Sequence, residues 1–232
     1  GAKYLGDEFD IHGGGMDLLF PHHESEIAQS QAANDKMPVK YWMHNNMITI
    51  NGQKMGKSLG NAVSLQQFFT GDHKLLEKAY SPMTIRFFML QAHYRGTLDF
   101  SNEALQAAEK GLSKLFQAME TLEGLKASDS GTVDVQKLSN KCYAALNDDL
   151  NSPVLIAQLF DAVRIINSIK DGKEKIDQEN LEALTALFKL FVKDILGMRP
   201  EAETEGDDEI VAGLMQTILD LRKWTIGYVS QF

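Results

Sequence analysis

Apolar residues recur three and four positions apart through most of the chain after residue 100, a spacing typical of helices with one buried face. The first such stripe follows Ser101, a good N-cap, and consists of Leu105, Ala108, Leu112, Leu115, Met119 and Leu122. We expect Asn151, followed by Pro153 at the first helical position, and Asp177 to cap two further helices. Gly197 stops the last of these. The pattern predicts a mostly helical region.

The first 70 residues carry shorter apolar runs separated by glycines and polar residues. The run DEFDI is typical of a strand end, and the glycine run after it predicts a tight loop. A helical pattern extends from Pro21 to about Ala33. The apolar residues before Asn51 and Gly52 predict a hairpin with a type I′ turn. The first 70 residues thus combine short strands with one helix.

Composition narrows the class of protein. The 232 residues carry a net charge of −9, which argues against a dominant nucleic-acid surface but allows a local basic patch. Because no run of about 18 apolar residues occurs, we expect no membrane-spanning segment. Cys142, the single cysteine, shares an apolar stripe with Leu138 and Leu146, which predicts a buried structural thiol in a reducing, cytosolic setting. We expect a flexible linker over 201–209 and a last helix over 210–223.

Two residues with metal-ligand chemistry lie on the first predicted helix. His22 and Glu26 are four residues apart, so both side chains share one face and can reach one Zn²⁺. Two ligands do not complete a tetrahedral site, and the other two must come from elsewhere. His23 and Glu24 are expected on other faces. The alternative is an ordinary helix N-terminus that favours acidic residues, with histidines at the surface or in the core.

Two glycine-containing segments are candidates for contact with a nucleotide. Gly13, Gly14 and Gly15 precede Asp17, and glycines allow close approach while an aspartate can accept hydrogen bonds from a ribose. The segment matches neither GxGxxG nor GxxxxGK[ST], so a structural loop is the alternative. The segment GQKMGKSLGN places Lys54 and Lys57 three residues apart among glycines, which suits a polyphosphate. A solvated basic turn is the alternative for that segment.

Four segments occur in one order: FDIHGGGMDLLFPHHESEIAQS, YWMH, GQKMGKSLGN and HYRGTLDFS. This order closely resembles that of cysteinyl-tRNA synthetases, a family of class I aminoacyl-tRNA synthetases, over most of residues 1 to about 165. Residues 52–61 resemble the KMSKS loop of the family. The resemblance implies that residues 1–70 form the C-terminal part of a class I Rossmann-type nucleotide-binding domain. Residues 71–125 would form a helical stem-contact segment, and 126–232 a truncated, α-helical tRNA-contacting domain.

The resemblance also implies a reaction and its participants. A cytoplasmic, monomeric ligase would activate cysteine with ATP and Mg²⁺ to cysteinyl-adenylate and transfer the cysteinyl group to tRNA(Cys), without a membrane partner. Lys57 would bind ATP and stabilise the charge of departing pyrophosphate, with assistance from Lys54. Residues that would line the adenosine side are His12, Gly13, Gly14 and Asp17.

His22 and Glu26 match two ligands of the zinc ion in the active site of the family. An apolar pocket separates nearly isosteric side chains poorly, and cysteine and serine are nearly isosteric. Zinc binds a thiolate, and serine offers no comparably acidic, soft atom. The resemblance therefore implies zinc as the cofactor that selects cysteine.

The chain departs from the family pattern at three places. It contains neither the HIGH motif, nor the N-terminal half of the nucleotide-binding domain, nor the two cysteine ligands of zinc. We therefore expect an internal fragment of a longer enzyme that does not activate cysteine alone. Gly56 replaces the usual serine of KMSKS and adds backbone freedom. The final run LRKWTIGYVSQF is unlike the basic helix that the family leads one to expect.

Three other functions remain open from the sequence. A ligase of the same fold could join cysteine to an amino sugar, and a charging assay would separate it from a tRNA ligase. A non-catalytic RNA-binding paralogue could retain the fold, although the retained lysines and metal-ligand pair argue against it. A metallohydrolase ranks last because the HExxH motif does not occur.

Overall fold

The computed structural model of the protein describes residues 2–200, and the linker and last helix expected over 201–223 lie outside them. In chain order the elements are α1 (Ala2–Leu5), β1 (Phe9–Gly15), α2 (Glu24–Asn34), β2 (Val39–Asn45), β3 (Ile48–Ile50), β4 (Gln53–Lys54), α3 (Leu65–Thr70), α4 (Pro82–Leu90), β5 (Leu98–Phe100), α5 (Asn102–Glu123), α6 (Val135–Asn147), α7 (Ser152–Lys170) and α8 (Gln178–Phe188). Short 3₁₀ turns cover Met16–Leu18 and Lys57–Leu59, and π-helical turns cover Leu19–His23 and Lys189–Ile195.

The first sheet pairs β1 with β2 in parallel, and α2 crosses between them. Parallel neighbours need such a crossover, so the pattern is that of a βαβ unit. The glycine run belongs to β1, where Gly13 and Gly14 pair with Met43 and His44. The prediction of a loop at these glycines was wrong, because pairing with β2 extends the strand through residues that have little strand propensity of their own.

The second sheet has the order β4-β3-β5. The hairpin predicted at Asn51 and Gly52 is confirmed: β3 and β4 are antiparallel, and φ is 50° at Asn51 and 76° at Gly52. Positive φ at both central residues is what a type I′ turn requires. On its other side β3 runs parallel to β5.

Helices α4 to α8 surround the main hydrophobic core. The predicted caps are confirmed, since the side chains of Ser101, Asn151 and Asp177 each accept a hydrogen bond from a backbone N–H in the first turn of the following helix. The predicted burial of Cys142 is also confirmed, since its side chain is fully buried. The α/β beginning followed by a mostly helical region is therefore the expected fold class, which the resemblance implied for the first part and the apolar pattern predicted for the second.

Within residues 2–200 one helix, α7, is long and apolar enough to cross a membrane by those two criteria alone. Its apolar side is buried in the protein core, where Leu155, Leu159 and Ile166 have no exposed surface. Its other side carries polar residues such as Arg164 and Lys170. Packing in the core therefore accounts for the apolar content of α7.

Candidate active site

Three histidines and one glutamate meet where β1, β2 and α2 come together. His12 lies on β1, His44 lies on β2, His23 directly precedes α2, and Glu26 lies in the first turn of α2. The ring centroid of His23 is 5.0 Å from that of His12 and 5.0 Å from that of His44. We call these four residues the histidine cluster. The βαβ unit builds it, since each residue stands on one of its three elements or their connections.

His23 is the buried centre of the cluster, with 3% of its surface exposed. Its Nδ1 is 2.8 Å from Nε2 of His44, and its ring lies 4.8 Å from that of Trp42. Burial lowers the pKa of His23, and the neighbouring His12 lowers it further. The lowered pKa favours the neutral imidazole of His23, which can donate through one ring nitrogen and accept through the other.

Gly14 is a glycine because His23 packs against it. A Cβ on Gly14 would lie 2.7 Å from Cε1 of His23, which is too close for any side chain. A Cβ on Gly13 would meet only the carbonyl oxygen of Met43, at an ordinary 3.6 Å. The glycine run thus contributes at least one position whose requirement comes from the histidine cluster.

The structure places the predicted metal pair, His22 and Glu26, next to each other. Nε2 of His22 is 3.9 Å from Oε1 of Glu26, and the two side chains are 66% and 42% exposed. Two atoms bound to one tetrahedral Zn²⁺ at about 2.0–2.2 Å would be about 3.4 Å apart, so the pair fits two corners of such a site. His12 donates from Nε2 to the other oxygen, Oε2, at 2.8 Å. Glu26 is therefore oriented with Oε1 toward His22.

Two members of the cluster, His23 and His44, were missed by the sequence analysis. One ligand atom from each of His12, His23 and Glu26 fits within 4.8 Å, which makes these three a second possible metal group. The sequence contained one signal for His44: it lies two residues after Trp42 on β2, and residues two apart on a strand face the same side of the sheet. Asp17 is exposed in the turn Met16–Leu18.

The segment with both lysines, residues 52–61, is held through its backbone. The amide of Asn61 donates to the carbonyl of Lys54 at 3.0 Å and accepts from the N–H of Gly56 at 2.9 Å. Met55 packs against the hydrophobic core. Lys57 begins a 3₁₀ turn and, like Lys54, is exposed. We call this segment the lysine loop; its backbone is fixed while its two ammonium groups face solvent.

The histidine cluster and the lysine loop are neighbours along the chain but do not bond to each other. Among residues 2–200 no hydrogen bond or ion pair joins them. They are connected through Asn46 and Met47, which link β2 to β3. A cleft of about 470 Å³ opens beside the cluster and is lined in part by Phe9, His12 and Glu26.

Two family descriptions match the chain. The tRNA synthetases class I (C) catalytic domain matches residues 1–110, which include both the histidine cluster and the lysine loop. The DALR domain matches residues 141–199. A cysteine–tRNA ligase of Parabacteroides distasonis is 61% identical over 224 residues, and one of Porphyromonas gingivalis is 60% identical over 223 residues. The chain belongs to the cysteine–tRNA ligase family.

The match to the cysteine–tRNA ligase family extends over nearly all of this chain but not over its relatives. It covers 96% of this chain and 46% of each of these two ligases, so the chain spans about half the length of the relatives it matches. A more distant cysteine–tRNA ligase, from Cytophaga hutchinsonii, is 51% identical with the same coverage.

A solved structure of another synthetase shares the fold. A LeuRS of Agrobacterium radiobacter K84, determined in a ternary complex with tRNA and LeuAMS, superposes with a TM-score of 0.57 at 17% identity. The superposition covers 80% of this chain and 25% of that one. The class I fold inferred for this member of the cysteine–tRNA ligase family is thereby confirmed.

Proposed function

We propose that this chain forms part of a cysteine–tRNA ligase, which activates cysteine with ATP and transfers it to tRNA(Cys). The observation that carries the proposal is the 61% identity to a cysteine–tRNA ligase over 96% of the chain. The 71–125 and 126–232 regions, which are mostly helical where they are described, would then contact tRNA. A local contact surface is compatible with the net charge of −9.

The proposed catalytic residues are Lys54 and Lys57. Both ammonium groups are exposed, and within residues 2–200 neither forms an ion pair. Because Asn61 fixes the backbone of the lysine loop, the side chains can extend toward ATP without disturbing the sheet. Lys57 would stabilise the negative charge that develops on the departing pyrophosphate, and Lys54 would assist it.

The proposed adenosine side comprises His12, Gly13, Gly14 and Asp17. Gly13 is exposed, and among the described residues the edge of β1 away from β2 has no partner strand. Its backbone groups are therefore free for a ligand or for a further strand. Asp17 presents an exposed carboxylate beyond the end of β1, which suits a ribose hydroxyl. His12 has a second task, since it orients Glu26.

His22 and Glu26 would hold the proposed zinc ion together with two ligands from outside this chain. Bound zinc would stabilise the substrate sulfur as a thiolate and so distinguish cysteine from serine. The chain itself prepares the pair, because His12 holds Oε2 of Glu26 and leaves Oε1 facing His22. Such a hydrogen bond to a ligating carboxylate fixes its orientation before a metal arrives.

We further propose a cytoplasmic, monomeric enzyme with no membrane partner. The buried free thiol of Cys142 suits a reducing compartment. Sedimentation at several concentrations of the purified protein checks the monomer, and a concentration-dependent mass would contradict it.

The test uses this chain in place of the matching 224-residue segment of the Parabacteroides ligase. We expect this segment-swapped ligase to charge tRNA(Cys) with cysteine. The unmodified ligase is the positive control and calibrates the charging rate. The isolated chain should give no cysteine-dependent ATP–pyrophosphate exchange. Transfer of cysteine to an amino sugar instead of tRNA would contradict the proposal, as would a folded hybrid that activates no cysteine.

A further inference from the structure

Four polar residues that the proposed function leaves without a role meet at the start of α7. His93, Tyr94 and Arg95 lie between α4 and β5, and Asp149 lies between α6 and α7. Tyr94 donates from its hydroxyl to Oδ1 of Asp149 at 2.7 Å, and Nε of Arg95 is 2.6 Å from Oδ2. We call these four residues the Asp149 joint. It ties the segment before β5 to the helical region.

Asp149 is bound through its backbone carbonyl as well as through its side chain. Nδ1 of His93 accepts from the N–H of Arg95, so its Nε2 carries the proton and donates to the carbonyl of Asp149 at 3.1 Å. Asp149 and Leu150 both have positive φ, 53° and 56°, a conformation that non-glycine residues rarely adopt. Two successive residues of this kind persist only where their surroundings hold them, and they often mark functional sites.

The other side of the segment holds Asn46. The N–H of Asn46 donates to the carbonyl of Tyr94, and its amide side chain donates to the carbonyl of Arg95, both at 3.0 Å. Asn46 also accepts from the N–H of Met47 at 2.7 Å. The segment 93–95 therefore binds Asp149 through its side chains and the β2–β3 connection through its backbone carbonyls.

That connection joins the two surfaces of the candidate active site. His44 of the histidine cluster lies two residues before Asn46, and β3, which leads to the lysine loop, begins two residues after it. The same segment continues into β5, where Asp99 accepts from the side chain of Thr49 at 2.6 Å and from the N–H of Gly52 at 2.8 Å. One stretch of chain thus holds both the connection and the hairpin turn.

We propose that Asp149 is a positioning residue that, through Tyr94 and Arg95, fixes Asn46 and thereby the placement of the lysine loop relative to the histidine cluster. Asp149 belongs to the helical region, between α6 and α7. The helical region thus sets the geometry of the candidate active site without contributing a reacting group. The consequence for catalysis rests on the proposed function, whereas the structural part does not. A displacement of about 1 Å can cost about 100-fold in rate, so a loosened connection would lower the rate of the chemical step.

The structural part is tested by amide hydrogen exchange on the 232-residue chain. In Asp149→Ala we expect the N–H groups of Asn46 and Leu98 to exchange at least about tenfold faster, because they would be freed by local opening. The amide of Leu112, in the middle of α5, reports global unfolding and should not change. Asp161→Ala, which removes another aspartate paired with an arginine, at a partly exposed position, serves as the matched control.

Two exchange results would overturn the proposal. Unchanged exchange at Asn46 would show that the joint does not hold the connection. An equal increase at Asn46 and Leu112 would show that Asp149 supports only the global fold. Tyr94→Phe, which removes a single hydroxyl, should give a smaller increase at Asn46 of the same local kind.

The catalytic part is tested in the segment-swapped ligase. Asp149→Ala should lower kcat for pyrophosphate exchange about tenfold and leave KM for ATP and cysteine within about twofold, because positioning acts on the transition state. Asp149→Asn, which retains the hydrogen-bond acceptor, should recover part of the loss. An unchanged kcat would overturn the positioning role. A hybrid without any activity would contradict the proposed function instead. The amide hydrogen exchange of the 232-residue chain would still show whether the Asp149 joint holds the β2–β3 connection.

Discussion

At the residue scale, the most informative contrast is between two adjacent glycines. Gly13 and Gly14 are indistinguishable in the sequence, and both were candidates for close approach of a nucleotide. The structure separates them, because only Gly14 faces the ring of His23. Position 14 therefore requires glycine because of His23, a residue nine positions away whose side chain was expected to point elsewhere.

This contrast gives the first prediction. Gly14→Ala should lower the free energy of unfolding by about 1–3 kcal/mol, because the new methyl group forces His23 out of its packing. Gly13→Ala should change it by less than about 0.5 kcal/mol, as expected where a Cβ has room. Denaturant unfolding of both variants measures the difference. Equal destabilisation by the two substitutions would contradict the account of the cluster.

The second prediction concerns Cys142, the single thiol of the chain. Burial raises its pKa to about 11 from an ordinary value of 9.0, which at about pH 8 lowers the thiolate fraction about 100-fold. Because the side chain is also fully buried, the native protein should react with a thiol-specific disulfide reagent at least about 100-fold more slowly than the denatured chain. Rapid reaction of one thiol in the native state would show that Cys142 is accessible.

At the element scale, local signals were sufficient wherever a helix or turn is decided by its own residues. Ser101 and Asp177 cap helices as predicted, and Asn51 with Gly52 makes the predicted turn. Local signals failed where pairing with another strand determines the conformation, as at the glycines of β1, which pair with β2. The sequence also gave no reason to connect Asp149 with Tyr94, because 55 residues separate them. Such contacts are set by packing of distant segments and leave no periodic pattern.

The third prediction is the pH dependence of the Asp149 joint. The hydrogen bond from Tyr94 and that from Arg95 lower the pKa of Asp149, so the folded protein binds this proton less readily than the unfolded chain. The contribution of Asp149 to stability is therefore complete above about pH 4 and is lost as the pH falls through the lowered pKa. Denaturant unfolding should show the largest difference between the native protein and Asp149→Asn near neutral pH, shrinking below about pH 4. A difference that does not depend on pH would contradict the charged joint.

At the scale of the whole molecule, the chain places two candidate surfaces on one short connection and ties that connection to a helical region. Neither surface is complete within residues 2–200: His22 and Glu26 would supply only two of the four ligands of the proposed zinc ion, and the lysine loop has no bonded contact with the histidine cluster. The family match explains this, since the chain spans about half the length of its relatives. The sequence identified both surfaces by resemblance, but not the residues that hold them in place.

The most direct test of the central claim is cysteine-dependent ATP–pyrophosphate exchange by the segment-swapped ligase carrying Lys57→Ala. Exchange should fall at least about 100-fold, because the loss of one charge at the transition state has that magnitude. Lys110→Ala, which removes an exposed lysine of α5, is the matched control and should leave the rate unchanged. Equal rates for the two variants, or a folded hybrid without exchange before either substitution, would contradict the claim that this chain carries the lysine loop of a cysteine–tRNA ligase.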